Sequence, residues 1–235
     1  MKLILFGLIA LSQNLLYNVK MGADTRPQLD SLAIVSPQVL VDELQTEDEK
    51  LAFWLNVYNA YIQIKLKENS GQYVKRSQFF STKSIVIAGQ KLSLDAIEHG
   101  ILRHSKTKLS LGYFTKWFPN TFEKTHRLKA VDYRIHFALN CGAASCPPIA
   151  FYKPEIIGKQ LDLATKNYLA QEVVFDTTTN TVTVPKLMLW FKADFGGNKG
   201  VLKILKEQGL LAPNAKPKIK YKDYNWNLEL NKYTE

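Results

Sequence analysis

The sequence predicts a single α+β domain: a central buried helix packed on a mainly antiparallel sheet with β-hairpins. Three observations predict it. The segment Leu51 to Ile64, LAFWLNVYNAYIQI, has helical length and no charged residue, whereas a surface helix would show Lys or Glu on its wet face. Two turn signals, Gly89-Gln90 and Thr178-Thr179-Asn180, each separate short apolar runs at hairpin spacing. No internal repeat, low-complexity tract or Gly/Ser/Pro linker divides the 235 residues, a length that suffices for one well-packed core.

The elements follow in order. Lys2 precedes an apolar run, Leu3 to Leu11, that ends in the small-residue step Ala10-Leu11-Ser12. Residues 1–12 are therefore expected to be a secretory leader and 13–235 the domain, placing the mature protein in the periplasm or outside the cell. The alternative is that the run is the first helix of a cytoplasmic domain. Either way it is too short for a permanent membrane span. A helix is expected from Gln13 to Met21. Ser36-Pro37 caps and opens a short helix through Leu44. Thr46 and Glu49 have capping-box spacing and open the helix Glu47 to Glu68. Residues 85–88 and 91–93 form the first hairpin, and Ser93 caps a helix through Leu102. Arg134 to Asn140 reads as a strand. Pro154 to Ala170 is amphipathic, with Ile157, Leu161, Ala164 and Tyr168 on one face. A second hairpin spans 173–184, and short helices follow near 186–193 and 199–208. Lys216, Lys218, Lys220 and Lys222 alternate with Pro217, Ile219 and Tyr221, the pattern of a protected sheet edge.

Composition is globular, with 46% hydrophobic and 22% charged residues. The net charge of +10 favours polyanions or anionic membrane surfaces. No zinc-finger spacing, RNA-binding aromatic motif or helix-turn-helix pattern accompanies it, so no nucleic-acid partner is expected.

Three segments carry candidate chemistry. In the uncharged helix, Asn56, Asn59 and Gln63 share one stripe; they either tie neighbouring backbone or line a cavity. In Ser93 to Arg103, the residues Asp95, His99 and Arg103 are four apart and stack on one face, so that the carboxylate can fix the histidine tautomer. His104 and His126 read as surface residues. In Asp132 to Pro148, strand alternation puts Arg134, His136 and Asn140 opposite an apolar face of Ile135, Phe137 and Leu139. The loop that follows, Cys141 to Cys146, has small residues between its cysteines; its backbone N–H groups could meet an anion. Two thiols this close could be a reactive site, a small disulfide, or two unrelated buried thiols.

The strings AFWLNVYNA, SLDAIEHGILR and DYRIHFALNCGAASCPP resemble, in order, the signature blocks of domain-of-unknown-function family 547. PKLMLWFKADF is similar to a fourth, looser block; Met188 stands there in place of an aromatic, and no site residue is carried from it. The resemblance covers roughly Gln13 to Leu205. It implies a shared fold and a shared set of positions: Asn56, Tyr58, Asn59, Glu98, His99, Arg103, Arg134, His136, Cys141 and Cys146. It assigns them no role and implies no cofactor.

The functional expectations are two. One is a thiol-dependent enzyme, a hydrolase or acyl or peptidyl transferase, with Cys141 as nucleophile and His136 or His99 as base. Tyr58, Asn56, Asn59, Glu98, Arg103, Arg134 and Cys146 would bind or support a small-molecule or peptide ligand, an acidic one included. A distant papain- or transglutaminase-like arrangement is the fold analogy, although there the nucleophile opens a helix. The other is a non-catalytic ligand-binding or interaction module using the same pocket. A zinc site and thiol–disulfide redox chemistry are lesser alternatives.

Overall fold

The computed structural model describes residues 7–234. Residues 1–6 of the expected leader lie outside the described residues. The rest of that segment begins helix α1 (Leu8–Met21), where Leu8, Leu11 and Ser12 are buried. Then come α2 (Arg26–Ile34), α3 (Pro37–Glu43) and α4 (Glu47–Glu68). The predicted caps form as read. The Ser36 hydroxyl accepts from Val39 N–H, and Thr46 and Glu49 make a complete capping box, which satisfies N–H groups that a helix start leaves without partners.

Helix α4 is the axis of the domain. Ala52 to Gln63 are all buried, as its lack of charge requires. It packs on α1 and on three short helical segments, while the strands lie further out. After α4 come α5 (Arg76–Ser81) and the hairpin β1 (Ile85–Ile87) with β2 (Gln90–Leu92). A π-helical turn (Ala96–Leu102), α6 (Thr121–His126), a 3-10 turn (Tyr133–Phe137) and α7 (Ile157–Glu172) follow. The hairpin β3 (Val174–Asp176) with β4 (Thr181–Val184) leads to α8 (Leu187–Trp190), α9 (Gly197–Glu207) and β5 (Lys218–Tyr221). The α+β class thus holds. The sheets are small: β1-β2 and β3-β4 are antiparallel, and β5 joins β4 in parallel. β5 lies at the edge with Lys218 and Lys220 outward, as the alternation predicts.

The segment read as a strand, Arg134 to Asn140, is instead a tight helical turn. Asp132 accepts from the Arg134 N–H at 3.0 Å and caps it, a local competition that short polar side chains win over extended backbone. The turn buries Ile135, His136 and Phe137 together. Ile135 belongs to the core around α4, and Phe137 to a second core built from α7, β4, α8 and α9. His126, expected at the surface, is buried against Phe122 and Trp54. His104 is half-buried and donates to the Leu128 carbonyl at 2.7 Å.

The amide stripe of α4 ties backbone together. Asn56 donates to the Tyr152 carbonyl and accepts from the Tyr152 N–H, both at 2.9 Å. Asn59 donates to the Ala138 carbonyl at 3.0 Å and accepts from the Asn140 N–H at 2.9 Å. Gln63 accepts from the Asn231 N–H at 2.9 Å. Asn56→Leu, similar in size, would leave the Tyr152 N–H buried and unpaired and the Tyr152 carbonyl held by the Gln13 side chain alone. A loss of about 3 kcal/mol in urea unfolding is expected; a loss under about 1 kcal/mol would show that the clamp does not hold the fold.

Candidate functional site

The site lies where the π-helical turn, the 3-10 turn and α8 meet. Widening the turn at Ala96–Leu102 shifts the backbone ladder, so that Arg103 N–H donates to the Glu98 carbonyl, five residues back, at 2.9 Å. Such turns cluster at functional sites. His99 (6% exposed) and Arg103 (1% exposed) point inward from it.

Asp194 sits at the centre. Arg103 Nε donates to Asp194 Oδ2 at 2.6 Å, and His136 Nε2 lies 2.9 Å from the same oxygen. All three side chains are buried. Burial alone would push the Asp194 carboxyl up, but the hydrogen bonds from His136 and Arg103 outweigh it and hold the group ionised. Because Arg103 already balances that charge, burial keeps His136 below the ordinary histidine value and neutral. A carboxylate can only accept, so the His136 proton is on Nε2. Its Nδ1 then makes no hydrogen bond among the described residues. Phe191 stacks on His136 with ring centroids 3.9 Å apart, and Arg103 lies 4.5 Å from the same ring.

His99 takes the same tautomer. Arg103 Nη1 lies 2.9 Å from His99 Nδ1. Arginine has only donors, so Nδ1 accepts and Nε2 carries the proton, facing Asp95 at 3.6 Å. Burial, aided by the Arg103 charge, lowers the His99 pKa to about 3. The predicted stack of Asp95, His99 and Arg103 therefore exists, with His99 and Arg103 buried and Asp95 half-buried beside Lys108. Tyr58 donates to Glu98 at 3.0 Å, and burial beside that carboxylate raises the phenol well above its usual range.

Gly112 closes over the ion pair with φ +85°, and a Cβ there would come within 2.6 Å of Asp194 Oδ1 and 2.9 Å of Arg103 Nη2. These two polar atoms are buried without a hydrogen-bond partner among the described residues.

These groups face a cavity of about 440 Å³. Tyr58, Glu98, His99, His136 and Cys141 line it, as do residues not read from the sequence: Arg76, Trp190, Phe191, Tyr224 and Trp226. The aromatic wall is continuous, with Trp190–Tyr224, Tyr224–Trp226 and Trp190–Trp226 centroids at 4.9, 4.7 and 5.5 Å. The Arg76 guanidinium lies 4.9 Å from the Trp226 ring.

Cys141 and Cys146 form a disulfide. Of the arrangements open in the sequence, this is the one found, so Cys141 is not a free nucleophile in this state. Nor can its thiolate ligate zinc, and among the described residues no group of three or more His, Cys, Asp or Glu could hold a metal ion. The Tyr224 hydroxyl contacts both sulfurs, at 3.3 and 3.1 Å. Most of the loop amides expected to meet an anion are spent. Cys141 N–H donates to Cys146 Sγ and Gly142 N–H to Asn140 Oδ1, while Ala144 and Ser145 N–H donate to the carbonyls of Asn227 and Asn225.

Two more site expectations are corrected. Asn56 and Asn59 do not line the cavity, because both amides are consumed by backbone. Arg134 turns away to Asp132 and Asp162, at 2.6 and 2.7 Å, since the 3-10 turn does not keep it on the His136 face. The central residue that sequence reasoning missed, Asp194, stands in PKLMLWFKADF, whose Trp-Phe-Lys-Ala-Asp order was its available signal.

Residues 41–169 match the family described as "Protein of unknown function, DUF547". The match covers more than half of the chain and includes the π-helical turn and the cysteine loop. The chain belongs to this family. No curated protein and no solved structure matched it.

The histidines set an acid response. Burial lowers His99 to about 3 and His126 to about 4, against 6.5 unfolded. The unfolded chain then binds more protons below pH 6.5, so this stability is full above about pH 6.5 and is lost as pH falls toward those folded values. Each buried histidine costs on the order of 1–2 kcal/mol at pH 5. His126→Phe, remote from the cavity, should reduce the fall in Tm between pH 7 and pH 5 by about 2–4 °C or more. An unchanged fall would show that His126 does not contribute.

Proposed function

We propose that the domain is a thiol-dependent enzyme, a hydrolase or acyl- or peptidyl-transfer catalyst, with the Cys141–Cys146 disulfide as its resting form. One observation carries this reading: Cys141, His99 and His136 line one cavity, and Asp194 holds the His136 proton on Nε2. Reduction by a thiol reductant opens the disulfide, the reductant becoming the oxidised partner as Cys141 and Cys146 gain the two electrons. His136 Nδ1 then takes the Cys141 proton, the thiolate adds to the substrate carbonyl, and the imidazolium returns that proton to the leaving amine or alkoxide as its bond to the carbonyl carbon breaks; water or an acceptor nucleophile then releases the acyl group from the Cys141 thioester. His99, neutral with its proton on Nε2, acts as a donor. Asp194 orients His136 in the manner of a triad carboxylate. Lys108 at the cavity is paired with Asp95, so an acidic small molecule or peptide would be met by Arg76, which lines the same cavity.

The second reading is a non-catalytic binding module. The aromatic wall of Trp190, Tyr224 and Trp226 favours it, because stacked rings bind planar or apolar groups without any thiol.

Alkylation between pH 5 and 9, the range in which such thiols titrate, separates them. The oxidised protein should not label. After reduction Cys141 should label faster than Cys146, with a midpoint below the ordinary thiol value of about 8.5. His136→Ala should slow it by about tenfold or more. Equal, slow labelling of both cysteines, indifferent to that substitution, would leave the binding module.

The disulfide also supports an oxidising location, periplasmic or secreted, since cytosolic reductants keep thiols reduced. Cell fractionation and intact mass test this together with the leader. Export with a start at Gln13 is expected; a chain that begins at Met1 in the cytosol would overturn it.

A further inference from the structure

Between the π-helical turn and α6 the chain forms a hairpin-like arm that presents large apolar side chains to solvent. Thr107 N–H donates to the Phe114 carbonyl and Lys116 N–H to the Ser105 carbonyl, and Tyr113 N–H donates to the Ser110 carbonyl across the tip. Beyond this frame Leu109 is 96% exposed, Trp117 88% and Phe118 91%, with Tyr113 and Phe114 also exposed. Exposed aromatic and aliphatic groups gathered on one short segment mark an interaction surface.

The charge around them is one-sided. Of the Lys and Arg residues between Lys106 and Lys129, Lys108 pairs with Asp95 and Lys116 with Glu123, while Lys106, Lys124, Arg127 and Lys129 have no carboxylate partner among the described residues. Lys124 and Lys129 are exposed. Trp and Tyr with Phe and Leu, set in a basic surround, suit the boundary between lipid headgroups and acyl chains. The net charge of +10 adds attraction to an anionic surface. No described helix is long and apolar enough to cross a membrane, so contact through the arm would be peripheral. The arm's backbone bonds at 105–107 and 114–116 keep its main chain satisfied when the side chains enter the interface.

We propose that this arm docks the domain on an anionic lipid surface through Leu109, Trp117 and Phe118. The docked arm also meets the cavity: Lys108, Leu109 and Leu111 line it, and Ala193 N–H donates to the Leu111 carbonyl at 2.9 Å. Lipid contact therefore sets the cavity mouth at the membrane face. This does not depend on the chemistry of Cys141.

The test is co-sedimentation of the full chain with vesicles of phosphatidylcholine alone, or of phosphatidylcholine with about one-third phosphatidylglycerol. The bound fraction should be at least about fivefold higher on the anionic vesicles and should fall with added salt. The triple variant L109S/W117S/F118S should bind at least about fivefold less, with its unfolding midpoint within about 2 °C of the parent, as expected for exposed positions. A second variant, Lys124→Glu, should weaken binding while leaving the apolar groups in place. No binding to anionic vesicles, or equal binding by the triple variant, would overturn the proposal. So would a lipid-free dimer, seen by analytical ultracentrifugation, that the triple variant dissolves; the arm would then be an interface between two copies.

Discussion

The arrangement depends on one constraint: a helix with no charged surface must be covered on every side, and its polar side chains must be satisfied in the interior. Over residues 51–63 of its uncharged stretch, helix α4 is covered throughout, and Asn56, Asn59 and the Gln63 side-chain oxygen are paired with backbone, while Gln63 Nε2 and Trp54 Nε1 have no partner among the described residues. Each amide grips the backbone of a different distant segment, at Tyr152, at Ala138 and Asn140, and at Asn231. A buried amide has no water to fall back on, so each segment is held in one register. The Asn59 clamp bears directly on the cavity, because it fixes the backbone between His136 and Cys141.

The cluster around Asp194 follows a second rule. A buried arginine must have a partner, since an isolated interior charge costs several kcal/mol (about 3–5 when one partner is removed). Asp194 supplies that partner and leaves one oxygen lobe for His136. The result is a neutral assembly of one cation, one anion and two uncharged imidazoles, each carrying its proton on Nε2. The rings of Phe191 and the backbone of Gly112 exclude water from it. That exclusion strengthens each interaction and keeps both imidazoles unprotonated near neutral pH.

Much of this was legible where local signals agreed. The capping box of Thr46 and Glu49, with the uncharged run after it, located α4. The four-residue spacing of Asp95, His99 and Arg103 correctly paired them, because a slightly wider turn still returns to the same face. His136 was picked as a site residue for a geometric reason that does not hold. Alternation implied a strand, whereas Asp132 caps a 3-10 turn that buries His136 and sends Arg134 elsewhere. Asn56 and Asn59 were visible as buried amides, yet whether such a group meets a ligand or backbone depends on segments far away in sequence. Asp194 and the aromatic wall were hidden for the same reason. Nothing near Asp194 in the chain announces Arg103, and Tyr224 meets the cysteine loop only through the final strap of the chain.

That strap has a consequence for how the protein is made. Residues 224–234 complete the wall of the cavity and pin the cysteine loop, through Tyr224 on both sulfurs, Asn225 and Asn227 on the loop amides, and Thr234 on Ile149. Asn231 reaches Gln63 across 168 positions of sequence. Contacts of such long range close late in folding, and these must also wait until residues 224–234 have been synthesised. A nascent chain can assemble α1 to α4 while the cavity is still open on one side and the two cysteines are still accessible to oxidants and reductants. Once docked, the strap covers the paired cysteines through the Tyr224 hydroxyl.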